Sequence, residues 1–112
     1  SANGCWSDHY LLGVLEHTGA ELCDASNWKK HDKPLLTYGN VVFGPGHASF
    51  FYSPDGTELW CAYHGLKKHN EKAEPDTRYM NVQRVYFDET GYPVMGVAIG
   101  YETDIPCLSG EE

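Results

Sequence analysis

Two strand pairs, each closed by a short turn of similar chemistry, do most to limit what this chain can fold into. The segments "ASFFYS" (48–53) and "ELWCAYHG" (58–65) flank "PDGT". There Pro54 presets φ and Gly56 can take positive φ, so the two segments read as an antiparallel hairpin. Further on, "RYMNVQRVYF" (78–87) alternates Tyr79, Asn81, Gln83 and Val85 against Met80, Val82, Arg84 and Tyr86. It then passes through "DETG" into "YPVMGVAI", a second hairpin. This is a period of two, and helical periodicity appears nowhere over the length that a stable helix needs.

The two turns lie about 35 residues apart. Such spacing points to an all-β chain built from blades of a β-propeller, each blade a four-stranded antiparallel sheet. A chain of 112 residues holds about two blades. Propellers close their ring with about four or more, so on this reading the chain is expected to be part of a larger domain. A small closed barrel or sandwich is the rival on pattern alone.

Elsewhere the signals are weaker. "YLLGVLE" (10–16) is apolar and of strand length, and the polar stretch after it holds Asp24 and Ser26, which can start a single helical turn. "GPGH" (44–47) reads as a loop feeding the first hairpin, and "LKKHNEKAEPDT" (66–77) as a solvated loop.

Composition narrows the function classes. A net charge of -8, with "LKKHN" as the one small basic run, argues against a nucleic-acid partner, because phosphate neutralisation needs clustered Lys and Arg. No apolar run approaches the roughly 20 residues of a membrane span, and none resembles a leader peptide. Cys5, Cys23, Cys61 and Cys107 form no CxxC pair, so they suggest neither a zinc ribbon nor a redox motif. Free, mostly buried thiols are expected, with two disulfides as the alternative, and the compartment stays open.

Several of these segments resemble one known family. "SANGCWSDHYLLGVLEHTGAELCDASNWKK", the core "GPGHASFFYSPDGTELWCAYHG", the run "TRYMNVQRVYFDETGYPVMGVAI" and the tail "IPCLSGEE" together resemble the last third of a glycoside hydrolase family 43 catalytic domain, especially its arabinofuranosidase-type members. The resemblance implies a five-bladed propeller, of which this chain would be the C-terminal part. It implies cleavage of arabinofuranosyl or xylosyl linkages of plant cell-wall polysaccharides with inversion. That chemistry needs a carboxylate to activate water and a carboxylic acid to protonate the leaving oxygen, roughly 6.5–9.5 Å apart. By the resemblance both, and a third carboxylate that tunes the acid, lie upstream of Ser1. No residue of the chain is then expected to be catalytic. The implied partners are the N-terminal blades, in the same chain or as a separate one, and an arabinose- or xylose-containing oligosaccharide.

The same resemblance assigns roles to His47 and Arg78. His47 matches a histidine that faces the central channel and helps to hold a calcium ion, or another cation, through water. Calcium prefers oxygen ligands, which favours a water-filled shell over direct coordination by a lone imidazole. Arg78, five residues before Gln83, matches an arginine bordering the sugar subsite, where a guanidinium can bond hydroxyls and hold a carboxylate. On its own chemistry Trp6 is a candidate stacking platform for sugar, with packing in the core or at the rim as the alternative. The chain departs from the family pattern at Asp8 and His9, which are given rim positions without catalytic roles.

The remaining residues carry blander expectations. His17, His31, His64 and His69 show no ligand spacing and read as ordinary polar residues. Asp55, Glu58, Asp88 and Glu89 fall in hairpin turns and serve turn chemistry and solubility. A non-catalytic carbohydrate-binding β module is the rival function, using Trp6, Trp28, Trp60 and the tyrosines. A small metallohydrolase built on His47, His64 and nearby acids is the weakest.

Overall fold

A computed structural model describes residues 3–5, 7–67 and 78–112. Its strands are β1 (Leu15–His17), β2 (Trp28–Lys30), β3 (Leu36–Thr37), β4 (Phe43–Tyr52), β5 (Leu59–Leu66), β6 (Arg78–Phe87), β7 (Pro93–Val94) and β8 (Gly96–Val97). The chain is all-β, as expected; the only helical element among the described residues is a single 3₁₀ turn, Ala25–Asn27. Asp24 starts that turn by accepting hydrogen bonds from the Ser26 backbone N–H (2.9 Å) and hydroxyl (2.8 Å).

The principal sheet is an antiparallel meander in the order β4-β5-β6-β7, the form of one propeller blade. Both expected hairpins are present, but they merge into this one sheet. β5 pairs with β6 along its whole length, from Leu59↔Val85 to Leu66↔Arg78. The second hairpin is shorter than the alternation suggested, because β6 and β7 share only Tyr86↔Val94 and Phe87↔Pro93. After Met95 the chain leaves that sheet and β8 pairs in parallel with β3.

The rest of a second blade's worth of chain lies in two small sheets, β1-β2 and β3-β8. The stretch 10–16 is not one strand. Leu12 instead exchanges backbone hydrogen bonds with Leu35 and Leu36, and only Leu15 to His17 pair with β2.

Alternation along β5 decides which face is covered. Leu59, Cys61 and Tyr63, with Val85 and Gln83 opposite on β6, turn toward a core of Leu12, Leu35, Leu36, Val42, Met95 and Ala98. Burying each larger aliphatic of this set contributes about 1.5–3 kcal/mol. Gln83, 5% exposed, is the polar member of that face. Its Oε1 accepts from the Tyr63 hydroxyl (3.0 Å) and the Ile99 N–H (3.2 Å), and its Nε2 donates to the Met95 and Val97 carbonyls (3.1 and 3.2 Å). One side chain thus fastens the departing segment 95–99 to the sheet.

The turn at Pro54 is also a junction. Asp55 accepts from the Ser53 hydroxyl (2.7 Å), from the Thr57 N–H (3.0 Å) and hydroxyl (2.8 Å), and from the Ser109 hydroxyl. Glu58 accepts from the Trp60 indole N–H (3.0 Å) and the Ser109 N–H (3.2 Å) and pairs with Arg84 at 2.5 Å. The two carboxylates therefore tie the tail of the chain to the first hairpin beside the buried Trp60. All four cysteines are free thiols, but only Cys61 is buried: Cys5 is half-buried, and Cys23 and Cys107 are exposed. The expectation of mostly buried thiols fails, because the three outside a strand lie in irregular segments that no second layer covers fully.

Candidate functional site

"GPGH" is not a loop before the first strand but a bulged part of it. The register of β4 on β5 shifts between Phe43 and Gly46 and again between Gly46 and Ser49. An extra residue in a bulge bends the strand and re-aims side chains. Gly44 and His47 take φ of 53° and 55°, and the histidine holds this left-handed conformation without glycine's freedom.

Both glycines are required by a close approach of the N-terminal segment. A Cβ on Gly44 would lie 2.5 Å from the Ser7 carbonyl oxygen, and one on Gly46 would lie 2.2 Å from the Tyr10 ring. The crowding partner is the segment 7–10.

Through that opening Tyr10 stacks on His64 of β5, with centroids 5.3 Å apart and planes 10° from parallel. His64 in turn lies 6.2 Å from His47, centroid to centroid. Arg78, opening β6, donates from Nη1 to the Cys5 sulfur at 3.7 Å. His47, Ser49, Ala62, His64, Arg78 and Met80 line one open recess of about 420 Å³.

Burial lowers the pKa of His64, the positive charge of Arg78 and the neighbouring His47 lower it further, and a hydrogen bond to the Cys5 backbone acts the other way. His64 is therefore held neutral, and its buried Nε2 has no hydrogen-bond partner among the described residues. His47 and Arg78, both exposed, line this recess together. Trp6 lies outside the described residues, as does His69. Asp8 and His9 do not line the recess.

Sequence reasoning read His64 as an ordinary polar residue, or as a ligand in the weakest alternative, although a signal of its place was present. The pairing Tyr52↔Leu59, carried back along an unbroken hairpin, sets position 47 opposite position 64. The bulge moves that pairing by one, to Gly46↔His64.

The turn carboxylates stand apart from this recess. Hydrogen bonds from Ser109, Thr57 and Ser53 hold Asp55 far below the usual carboxylate range. Those from Thr90, Tyr92 and Gly91 lower Asp88. Glu58 is lowered by the Ser109 backbone and the Trp60 indole, with Arg84 adding to the shift. A general acid needs the opposite shift. Among the described residues no group of three or more His, Cys, Asp or Glu side chains could hold a metal ion. The donors gathered here are nitrogen, so they do not by themselves fit calcium's demand for oxygen.

The comparisons with known proteins agree on a class, the glycoside hydrolases. The chain is 30% identical to an extracellular exo-α-(1→5)-L-arabinofuranosidase of Streptomyces avermitilis, a match covering 81% of this chain and 20% of that protein. Its fold matches a crystal structure of an α-L-arabinofuranosidase from Lactobacillus brevis with a TM-score of 0.68 and 30% identity, covering 76% of this chain and 28% of the other. It matches a thermostable family-43 glycoside hydrolase with a TM-score of 0.71 and 27% identity, covering 98% of this chain and 33% of the other. No family model matches the chain. In sequence and in fold the chain is related to the family-43 glycoside hydrolases and corresponds to a part of one, spanning a fifth to a third of the relatives it matches.

Proposed function

We propose that this chain is the C-terminal part of the catalytic domain of an inverting glycoside hydrolase acting on arabinofuranosyl or xylosyl linkages of plant cell-wall polysaccharides. It forms one wall of the sugar pocket and completes a five-bladed ring with the remaining blades. The observation that carries this reading is the meeting of His47, His64 and Arg78 at one recess, with the lowered turn carboxylates excluded from it.

In that division of labour the chain's own residues bind and orient. Arg78 offers its guanidinium to sugar hydroxyls and to a neighbouring carboxylate, and neutral His64 and stacked Tyr10 keep the wall rigid. His47 presents its imidazole to a cation, calcium by the family resemblance, through water; the oxygen ligands such an ion needs come from other parts of the protein. The acid, the base and the tuning carboxylate are likewise supplied by the other blades, so this chain alone is inactive.

Hydrolysis of an aryl α-L-arabinofuranoside and an aryl β-D-xyloside tests the proposal, with the full 112-residue chain alone and joined to the remaining blades. The joined protein is expected to turn over one of the two substrates. Arg78→Ala in it should lower kcat/KM by about tenfold or more, as the loss of a charged hydrogen bond costs about 1.5–3 kcal/mol. Turnover by the chain alone would overturn the placement of the carboxylates.

A further inference from the structure

A second recess, of about 580 Å³, lies beside Tyr79, which lines the first, and it is within the size range of small-molecule sites. Its rim is the tight turn Gly39–Val42, closed by backbone hydrogen bonds in both directions, 3.2 and 2.9 Å. Asn40 and Val41 sit at φ of 51° and 63°. Positive φ at both central residues is a type I′ turn, which favours Asn followed by Gly. Here the second place is a β-branched valine, 68% exposed, in a conformation that strains it. That strained, exposed valine is an apolar contact surface at the rim of the recess.

The walls indicate what that surface meets. Tyr101 forms an aromatic floor, edge-on to Tyr79 at 5.9 Å. The Lys67 ammonium lies 4.3 and 4.9 Å from the centroids of those two rings. Glu102 and Thr103 bring a carboxylate and a hydroxyl to the same recess. Gly100 keeps the base open, since a Cβ there would crowd the Asn40 carbonyl oxygen at 3.2 Å and the Thr103 hydroxyl at 3.4 Å. One cation and one anion cancel, and a chain of net charge -8 repels acidic ligands.

We propose that the recess under the Asn40–Val41 turn is a second carbohydrate site, separate from the His47–Arg78 recess, that takes a neutral sugar unit. The C–H face of the sugar packs on Tyr101 and Val41, and its hydroxyls bond Lys67, Glu102 and Thr103. The choice of pentose as the sugar rests on the arabinofuranosidase reading; the recess and its chemistry do not.

Ligand-observed saturation-transfer NMR on the full 112-residue chain, with (1→5)-linked arabinotriose as the probe, tests this. A saturable signal is expected, weakened at least threefold by Val41→Gly and by Glu102→Ala and kept in Glu89→Ala, a turn residue that lines neither recess. Val41→Gly relieves the strained turn, so its thermal midpoint should rise as binding falls, which separates lost contact from lost fold. No signal, or a signal that neither variant changes, overturns the site. Tighter binding of tri-galacturonate than of arabinotriose overturns the neutral class. A signal lost only in Arg78→Ala places the sugar in the first recess, sinking this proposal while leaving the hydrolase reading intact.

Discussion

At the scale of single residues, Gln83 shows how a polar side chain can specify a fold from inside a core. Its four hydrogen bonds satisfy both its own amide and groups on Tyr63, Met95, Val97 and Ile99. Replacing it by Leu keeps the volume but strands those partners on the covered face. An unsatisfied buried polar group costs about 1–3 kcal/mol. Gln83→Leu is therefore expected to destabilise the chain by about 3 kcal/mol or more, measured as a drop in the urea midpoint at unchanged slope. A loss within about 0.5 kcal/mol would mean that segment 95–99 is held by other means. The residue's place was legible, since alternation along β6 sets it beside Val85, but its partners were not. They come from a segment that leaves the sheet, and a local period carries no information about that departure.

At the scale of elements, the two turns behave alike because each is organised by one aspartate accepting from residues just after it. In the first, Asp55 accepts from Thr57; in the second, Asp88 accepts from Thr90 (2.8 and 2.6 Å) and from the Tyr92 N–H (3.0 Å). Both carboxyls are depressed in the folded chain, whereas an unfolded Asp titrates near about 3.9. The unfolded state then binds more protons on acidification, so the stability these turns contribute is fully present above about pH 5, begins to be lost near pH 4 and goes on falling toward the depressed values of the folded carboxyls. Thermal midpoints measured from pH 6 to pH 3 should fall, and Asp55→Asn should flatten that fall. An unchanged slope would show that the junction with Ser109 does not distinguish folded from unfolded chain. These turns were readable because Pro, Asp and Gly act within a few residues. The long β5–β6 pairing and the parallel β3–β8 pairing were not, since each joins segments whose turn or crossover chemistry gives no local mark. The bulge at "GPGH" was not legible and read as a loop, because the Tyr10 ring that crowds Gly46 is distant in sequence.

At the scale of the whole molecule, the question is what covers the second face of the main sheet. Met80 is 79% exposed, and Phe51, Tyr86 and Val94 are exposed on the same face by register. Phe50, Tyr52 and Phe87 are exposed on the other face, beyond the core. The radius of gyration is 15.4 Å, with extents of 42 × 40 × 20 Å, against about 13 Å for a compact domain of this length. A slab with apolar residues open on both sides suits a ring segment whose neighbours bury it, and suits a free-standing sugar-binding module poorly. The chain on its own is therefore expected to self-associate and to bind an apolar dye. Sedimentation across a range of concentrations should show mass increasing with concentration, and joining the remaining blades should abolish the effect. A monomer at every concentration, with one sharp thermal transition, would instead favour the module: the exposed tyrosines and phenylalanines would then be its binding surface, not a blade interface.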